Sequence, residues 1–209
     1  MFARVISVRS LPRNFDPQAS TPVLLSALRK IPGFRGVCLL RQIGFSKSHF
    51  VSLWDSPEAA RSMDAQLEAR LGPPPFPPDN DDLYEVIDVF TGRAAPSEAA
   101  VAWVAFFDGL RSKAELAARD RAREERIKPA TRDLPGVVTA YVLRRPEGDG
   151  DMIVVLATSV EAIEAGNRAV LGTELLPGED PALLIGPDHV EIHHVAAYET
   201  APAQPEAAR

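Results

Sequence analysis

The sequence predicts an α+β fold made of two tandem βαββαβ units. Three observations carry this. First, there is a weak internal repeat: Ile31-Pro32-Gly33-Phe34 matches Leu134-Pro135-Gly136-Val137, and VCLLR at 37–41 sits over AYVLR at 140–144. Repeats of this kind set the architecture before any single element does. Second, the order of hydrophobic periods is the same in both halves. Third, a four-stranded sheet with both helices on one face leaves its other face bare. A second copy in the same chain covers it, so the units are expected to pack sheet to sheet as an internal pseudo-dimer.

In the first half, residues 2–8 are β-rich and open the unit. Thr21-Pro22 offers a cap and a proline at the first helical position. Leu24, Leu25, Leu28 and Ile31 follow at helical spacing, and Pro32-Gly33 stops the helix. Residues 37–42 and 49–54 are two strands joined by a loop carrying Gly44, Ser46 and Ser48. Asp55 or Ser56 caps a second helix with an apolar stripe of Ala60, Met63, Leu67 and Leu71. Residues 83–90 close the unit.

In the second half, residues 101–107 form the opening strand. Ser112-Lys113-Ala114-Glu115 is a capping box that starts a helix running to about Lys128. That helix is rich in Arg and Glu, so most of it should face water. Strands at 137–144 and 152–157 flank the turn Gly148-Asp149-Gly150. Ile163, Gly166 and Val170 repeat the stripe of the first half, and residues 190–197 close the unit. This order is the ferredoxin-like split motif. The expected boundaries are 1–92 for the first repeat, 93–99 for a linker, 100–200 for the second repeat and 201–209 for a disordered tail.

The 209 residues are 45% hydrophobic and 25% charged, an ordinary globular composition. Net charge is −6, which argues against a nucleic-acid footprint. The excess is uneven: residues 1–96 carry 11 basic and 10 acidic side chains, residues 97–209 carry 12 and 19. The longest apolar run, 99–107, is far short of the roughly 20 residues that span a bilayer. The first ten residues lack a signal-peptide apolar region, so a cytoplasmic location is expected. The single Cys38 excludes an intramolecular disulfide and any multi-Cys metal site; a buried inert thiol is expected. There is no P-loop, GxGxxG, HExxH, CxxC or GxSxG motif.

The opening strand at 2–8, Pro32-Gly33-Phe34, and above all FVSLWDSPEAA at 50–60 resemble the antibiotic biosynthesis monooxygenase-like family of the dimeric α/β-barrel superfamily. The resemblance covers the first half well and the second by pattern. It implies an internal pseudo-dimeric α/β barrel and an activity among cofactor-independent monooxygenases of aromatic polyketides or haem-degrading enzymes. Trp54 falls on the family's pocket Trp. The opening strand has no counterpart of the family's Asn, and the haem-binding His would fall near Asp64, where no His stands. The second-half equivalent of Trp54 is Ala157.

Strand alternation puts Ser48, Phe50, Ser52 and Trp54 on one face and His49, Val51 and Leu53 on the other. Phe50, Ser52 and Met63 are therefore candidate lining residues around Trp54, with room for a flat ligand or simply a packed core. Asp88 and His194 occupy equivalent places on the two closing strands. Each is either a hydrogen-bonded residue inside the fold or a general base, and His194, sharing its face with Ile192, should be partly buried. Arg41 and Arg144 align at strand ends, as surface groups or as clamps for a carboxylate or phenolate. His189, Glu191 and His193 share a face, but a straight strand spaces them too widely for one metal, so no metal is expected. The proline run 73–78 should be a stiff connector.

Two functions fit. One is a cofactor-independent monooxygenase acting on a flat aromatic, polyketide-like substrate with O2, with Trp54, Asp88 and His194 as catalytic candidates and Phe50, Ser52, Met63 and Arg41 as binding candidates. The other is a non-catalytic binder of a small hydrophobic ligand, or an accessory protein of the same fold. A monomer or weak homodimer is expected, since the repeat already covers the sheet faces.

Overall fold

The computed structural model describes residues 1–9, 17–74 and 77–200, without the side chains of residues 17 and 18. The expected tail at 201–209 and the centre of the proline run lie outside the described residues. The strands are β1 (Phe2–Val8), β2 (Phe34–Gln42), β3 (Ser48–Trp54), β4 (Asn80–Thr91), β5 (Val101–Asp108), β6 (Val137–Arg144), β7 (Gly150–Ala157) and β8 (His189–Thr200). The helices are α1 (Pro17–Leu28), α2 (Pro57–Leu71), α3 (Lys113–Ala122), α4 (Lys128–Thr131) and α5 (Val160–Leu171). A π-helical turn at Arg123–Ile127 joins α3 to α4.

The chain forms two compact units. The first holds residues 1–41, 45–83 and 196 onward; the second holds 42–44 and 84–195. In the first, β3 is central and antiparallel to both β1 and β2, with Val5 opposite Val51 and Cys38 opposite Val51. In the second, β7 is central between β5 and β6, and β8 and β4 pair outward on β5 and β6. Strands β4 and β8 are long, and each runs from one unit into the other. The hydrogen-bonded order β1-β3-β2-β8-β5-β7-β6-β4 is consequently closed.

The repeat signatures have matching physical roles. Gly33 and Gly136 both take positive φ, 82° and 85°. Each then accepts an N–H on its carbonyl from just after the central strand, Asp55 to Gly33 and Thr158 to Gly136, both at 2.8 Å. A bulge follows in both cases, between Phe34 and Gly36 and between Val137 and Thr139. Ser56 and Ser159 cap α2 and α5 by accepting the N–H groups of Ala59 and Ala162. Ser112 and Glu115 form the expected capping box on α3.

Three expectations need correction. Helix α1 begins at Pro17, not near Thr21, and Pro22 lies inside it. Pro17 takes the position where a missing N–H costs nothing, and packing of Leu24, Leu25 and Leu28 outweighs the bond lost at Pro22. The stripe of α2 stops at Leu67, because Leu71 at the helix end is 45% exposed. The Arg/Glu-rich helix is less solvated than its composition suggests. The side chains of Arg119, Arg123 and Arg126 are only 13%, 19% and 12% exposed, each beside a carboxylate.

In the first unit, residues on both faces of the sheet are buried. Under the helices of the first unit sit Leu28, Ile31, Phe34, Val37, Trp54, Ala60 and Met63. On the opposite face Ala3, Val5, Cys38, Leu40, Val51 and Leu53 are also buried. Burial pushes the Cys38 thiol well above its ordinary value, as expected of an inert core group.

Candidate functional site

The alternation of β3 turns Phe50, Ser52 and Trp54 toward α1 and α2. Trp54 is fully buried. Its ring meets Phe34 edge-on at 5.5 Å, and its Nε1 donates to Ser52 Oγ at 2.9 Å. Ser52 Oγ in turn donates to the Arg4 carbonyl at 3.3 Å, with Met63 Sδ at 3.8 Å. A buried indole N–H needs such a partner. Leu28, Ile31, Phe34, Val37, Ala60 and Met63 complete the enclosure, so the indole presents no open face.

One strand over, Arg4 stands opposite Ser52 on the same face. Its side chain is 9% exposed. The guanidinium reaches under α2, where Nη1 donates to the Ala60 carbonyl at 3.2 Å. Nε and Nη2 donate as a fork to Asp81 at 2.8 and 2.5 Å, and Nη2 also donates to Asp64 at 2.5 Å. Burial alone would lower the pKa of Arg4. Hydrogen bonds and charge from Asp81 and Asp64 override it and raise the pKa above its usual value. Beside this group lies a cavity of about 250 Å³, open to solvent and lined by Arg4, Arg61, Asp81 and Leu83. Three of its four lining residues are charged, and Leu83 is its one apolar wall.

Arg4 and Asp81 were not singled out in the sequence. The available signal was a lone Arg amid the apolar opening strand, and an acidic run at 79–82 that could pair with it.

The other candidates stand apart from this cavity. Arg41 is exposed, while Phe50 is half-buried against the first-unit core. Asp88 lies in the second unit with its carboxylate 13% exposed. Lys128 Nζ and Arg123 Nε approach it at 2.7 and 2.9 Å. Arg123 also pairs with Asp120, which links this group to Arg144 and through it to Asp151, while Arg119 pairs with Asp151 and lies 3.9 Å over the Phe107 ring.

On β8 the expected burial is reversed: His194 is exposed and His193 is fully buried. The helix cover of this sheet reaches Ile192 but stops short of His194. The other face, where His193 stands opposite Ala102, is closed. His193 Nε2 lies 3.0 Å from Glu191 Oε2, a separation that also suits two ligands of one divalent ion. His189 is exposed and stacks on Phe106.

No family model and no curated protein sequence matches this chain. Solved structures do. A candidate monooxygenase from Fusobacterium nucleatum aligns with TM-score 0.63 at 10% identity, covering 95% of this chain and 94% of its own. One from Lactobacillus acidophilus gives 0.60 at 8% identity over 95% and 96%. An anthrone oxidase-like protein gives 0.55 at 14% identity over 100% and 96%. At such identities the likeness is one of fold. Together with the closed strand order, it gives this chain the α/β-barrel fold of these structures.

Proposed function

We propose that this protein is a cofactor-independent monooxygenase-type enzyme that binds a small flat aromatic molecule in the first-unit cavity and oxidises it with O2. The carrying observation is the cavity itself, where a buried guanidinium and a carboxylate stand at one wall and Leu83 at another. The names of the structural neighbours, anthrone oxidase-like among them, favour the same chemistry.

The reaction balances without an external reductant. An activated methylene, as in the keto form of a naphthol, loses a proton. The resulting anion passes electrons to O2 and forms a C–O bond. One oxygen atom remains as the new carbonyl, and the other leaves as water with the two methylene hydrogens. Asp81, on the cavity wall, is placed to take the proton as general base. Asp88 and His194 have no part in this reading, because both lie in the second unit.

A second reading, a non-catalytic binder, draws on the enclosure of Trp54, which leaves its ring no face on which a substrate could stack. Among the described residues no helix is long and apolar enough to cross a membrane. A cytoplasmic monomer or weak homodimer is the accompanying proposal.

Oxygen uptake by the purified protein with anthrones, naphthols and hydroquinones, without added cofactor, tests the first reading. Leu83→Trp fills the cavity without touching its charges. Uptake above the no-protein rate that this variant abolishes supports the enzyme. Uptake that it leaves intact refutes the cavity as the site. No uptake with any substrate favours the binder, and mass spectrometry of ligands that co-purify with the protein but not with Leu83→Trp then checks that reading.

A further inference from the structure

We infer that the first-unit cavity selects a neutral hydroxyl on a one- or two-ring aromatic and rejects the matching carboxylate, with Asp81 as the specificity-determining residue. This rests on the reading of the cavity as a ligand site.

Size sets the first limit. About 250 Å³ falls below the roughly 300–1,000 Å³ of sites that hold drug-sized ligands, so one or two fused rings fit better than an extended polycycle. Leu83 offers the ring an apolar wall.

Charge sets the second limit. Two arginines at a cavity ordinarily suggest an anion clamp, but Arg4 is not available as one. Its Nε and Nη2 are held by Asp81 and Asp64, and its Nη1 donates to the Ala60 carbonyl. Two carboxylates already face that single buried guanidinium. Arg61 is 68% exposed and lies 3.8 Å from Glu58, so its charge is largely screened by water. A ligand carboxylate entering here would meet Asp81 as a like charge without a free cation to offset it.

A hydroxyl meets no such penalty, because it both donates and accepts. Asp81 is acceptor-only. Its two oxygens offer about four lone-pair sites, and the fork from Arg4 occupies two of them. Its side chain is 35% exposed, so the rest are open toward the cavity. The hydroxyl donates to Asp81 and accepts from Arg61, and both groups stay paired.

Calorimetric titration of the intact protein with 1-naphthol, 1-naphthoate and naphthalene at neutral pH tests this. The expected result is binding of 1-naphthol about tenfold or more tighter than either other probe. In Asp81→Asn the naphthol-to-naphthoate ratio should fall to within about threefold, chiefly because naphthoate gains. Arg61→Ala, at an exposed position, should weaken naphthol a few-fold and leave the order unchanged. Naphthoate binding as tightly as naphthol to the unmodified protein overturns the inference, and so does a ratio unmoved in Asp81→Asn. The first comparison needs no variant, so misfolding cannot hide the answer. Failure of all three probes to bind also overturns it, while oxygen uptake decides the enzymatic reading independently.

Discussion

Replacing Trp54 by Phe should destabilise the protein by about 2–3 kcal/mol, a figure built from two losses. The first is the hydrogen bond from Nε1 to Ser52 Oγ, a net contribution of about 1 kcal/mol. The second is the volume of the larger ring. Trp54 is fully buried among Leu28, Ile31, Phe34, Val37, Ala60 and Met63, so the smaller ring leaves a gap. Incomplete collapse of that gap, with the lost apolar burial, adds about 1–2 kcal/mol. For a chain of this length each kcal/mol lowers the melting temperature by about 2–4 °C, so a fall of about 5–10 °C is expected by circular dichroism. The only other tryptophan, Trp103, is half-buried, so the variant's fluorescence should also move to the red. A melting temperature changed by less than about 1 °C, with oxygen uptake abolished, would refute this reasoning. That combination would mean that Trp54 serves a substrate and the core does not rely on it.

Arg4→Met should cost about 1–3 kcal/mol in urea unfolding, because Asp64 and Asp81 lose their shared cation but are exposed enough to rehydrate. Arg4→Lys should rescue little of it, since an ammonium cannot reproduce the fork to Asp81. Gly33→Ala and Gly44→Ala should separate two costs. Both take φ near +80°, but a Cβ at Gly33 would lie 2.9 Å from that of Ala59, whereas at Gly44 nothing lies within 4 Å. The first should therefore exceed the roughly 1–2 kcal/mol of the backbone penalty that the second shows alone. Asp120 is raised by burial, but hydrogen bonds from Arg144 and Arg123 outweigh that and hold it below its ordinary 3.8. Its folded pKa is thus depressed, so its contribution is present above pH 3.8 and lost as the pH falls below. Asp120→Asn should flatten the acid limb of the stability curve in that window, and an unchanged limb would count against the network.

Much of the fold was legible because local chemistry and the long-range pattern agree. Pro-Gly before the second strand of each half marks a backbone that must turn through positive φ, and both glycines do so. Ser56, Ser112 and Ser159 stand where a helix needs an acceptor for its first N–H groups. The site was less legible, for a definite reason. A period of two separates the faces of a strand without saying how far a helix covers each one. The alternation of β8 therefore split His193 from His194 correctly but assigned burial to the wrong one. Arg4 was missed for a related reason. A buried guanidinium depends on carboxylates on α2 and β4, 60 and 77 positions away along the chain. The start of α1 was misplaced because Thr21-Pro22 is a good local signal that tertiary packing overrides.

The two units share an order of elements but differ in what lies between sheet and helices, and that difference bears on where a ligand can go. In the first unit this layer is apolar around Trp54, with the buried Arg4 guanidinium and its two more exposed carboxylates beside a cavity. In the second, α3 and the π-helical turn rest on ion pairs, with Arg119 and Arg144 on Asp151, and Arg123 and Lys128 on Asp88. Asp151 is nearly buried, at 4% exposure. An aromatic ligand entering that layer would have to part charges that have little access to water, and the charge left behind would carry its desolvation cost unpaired. In the first unit a ligand displaces solvent from an open cavity and leaves the pairs of Arg4 intact. On the proposed reading an aromatic molecule would therefore enter the first-unit cavity rather than the layer beneath α3 and the π-helical turn.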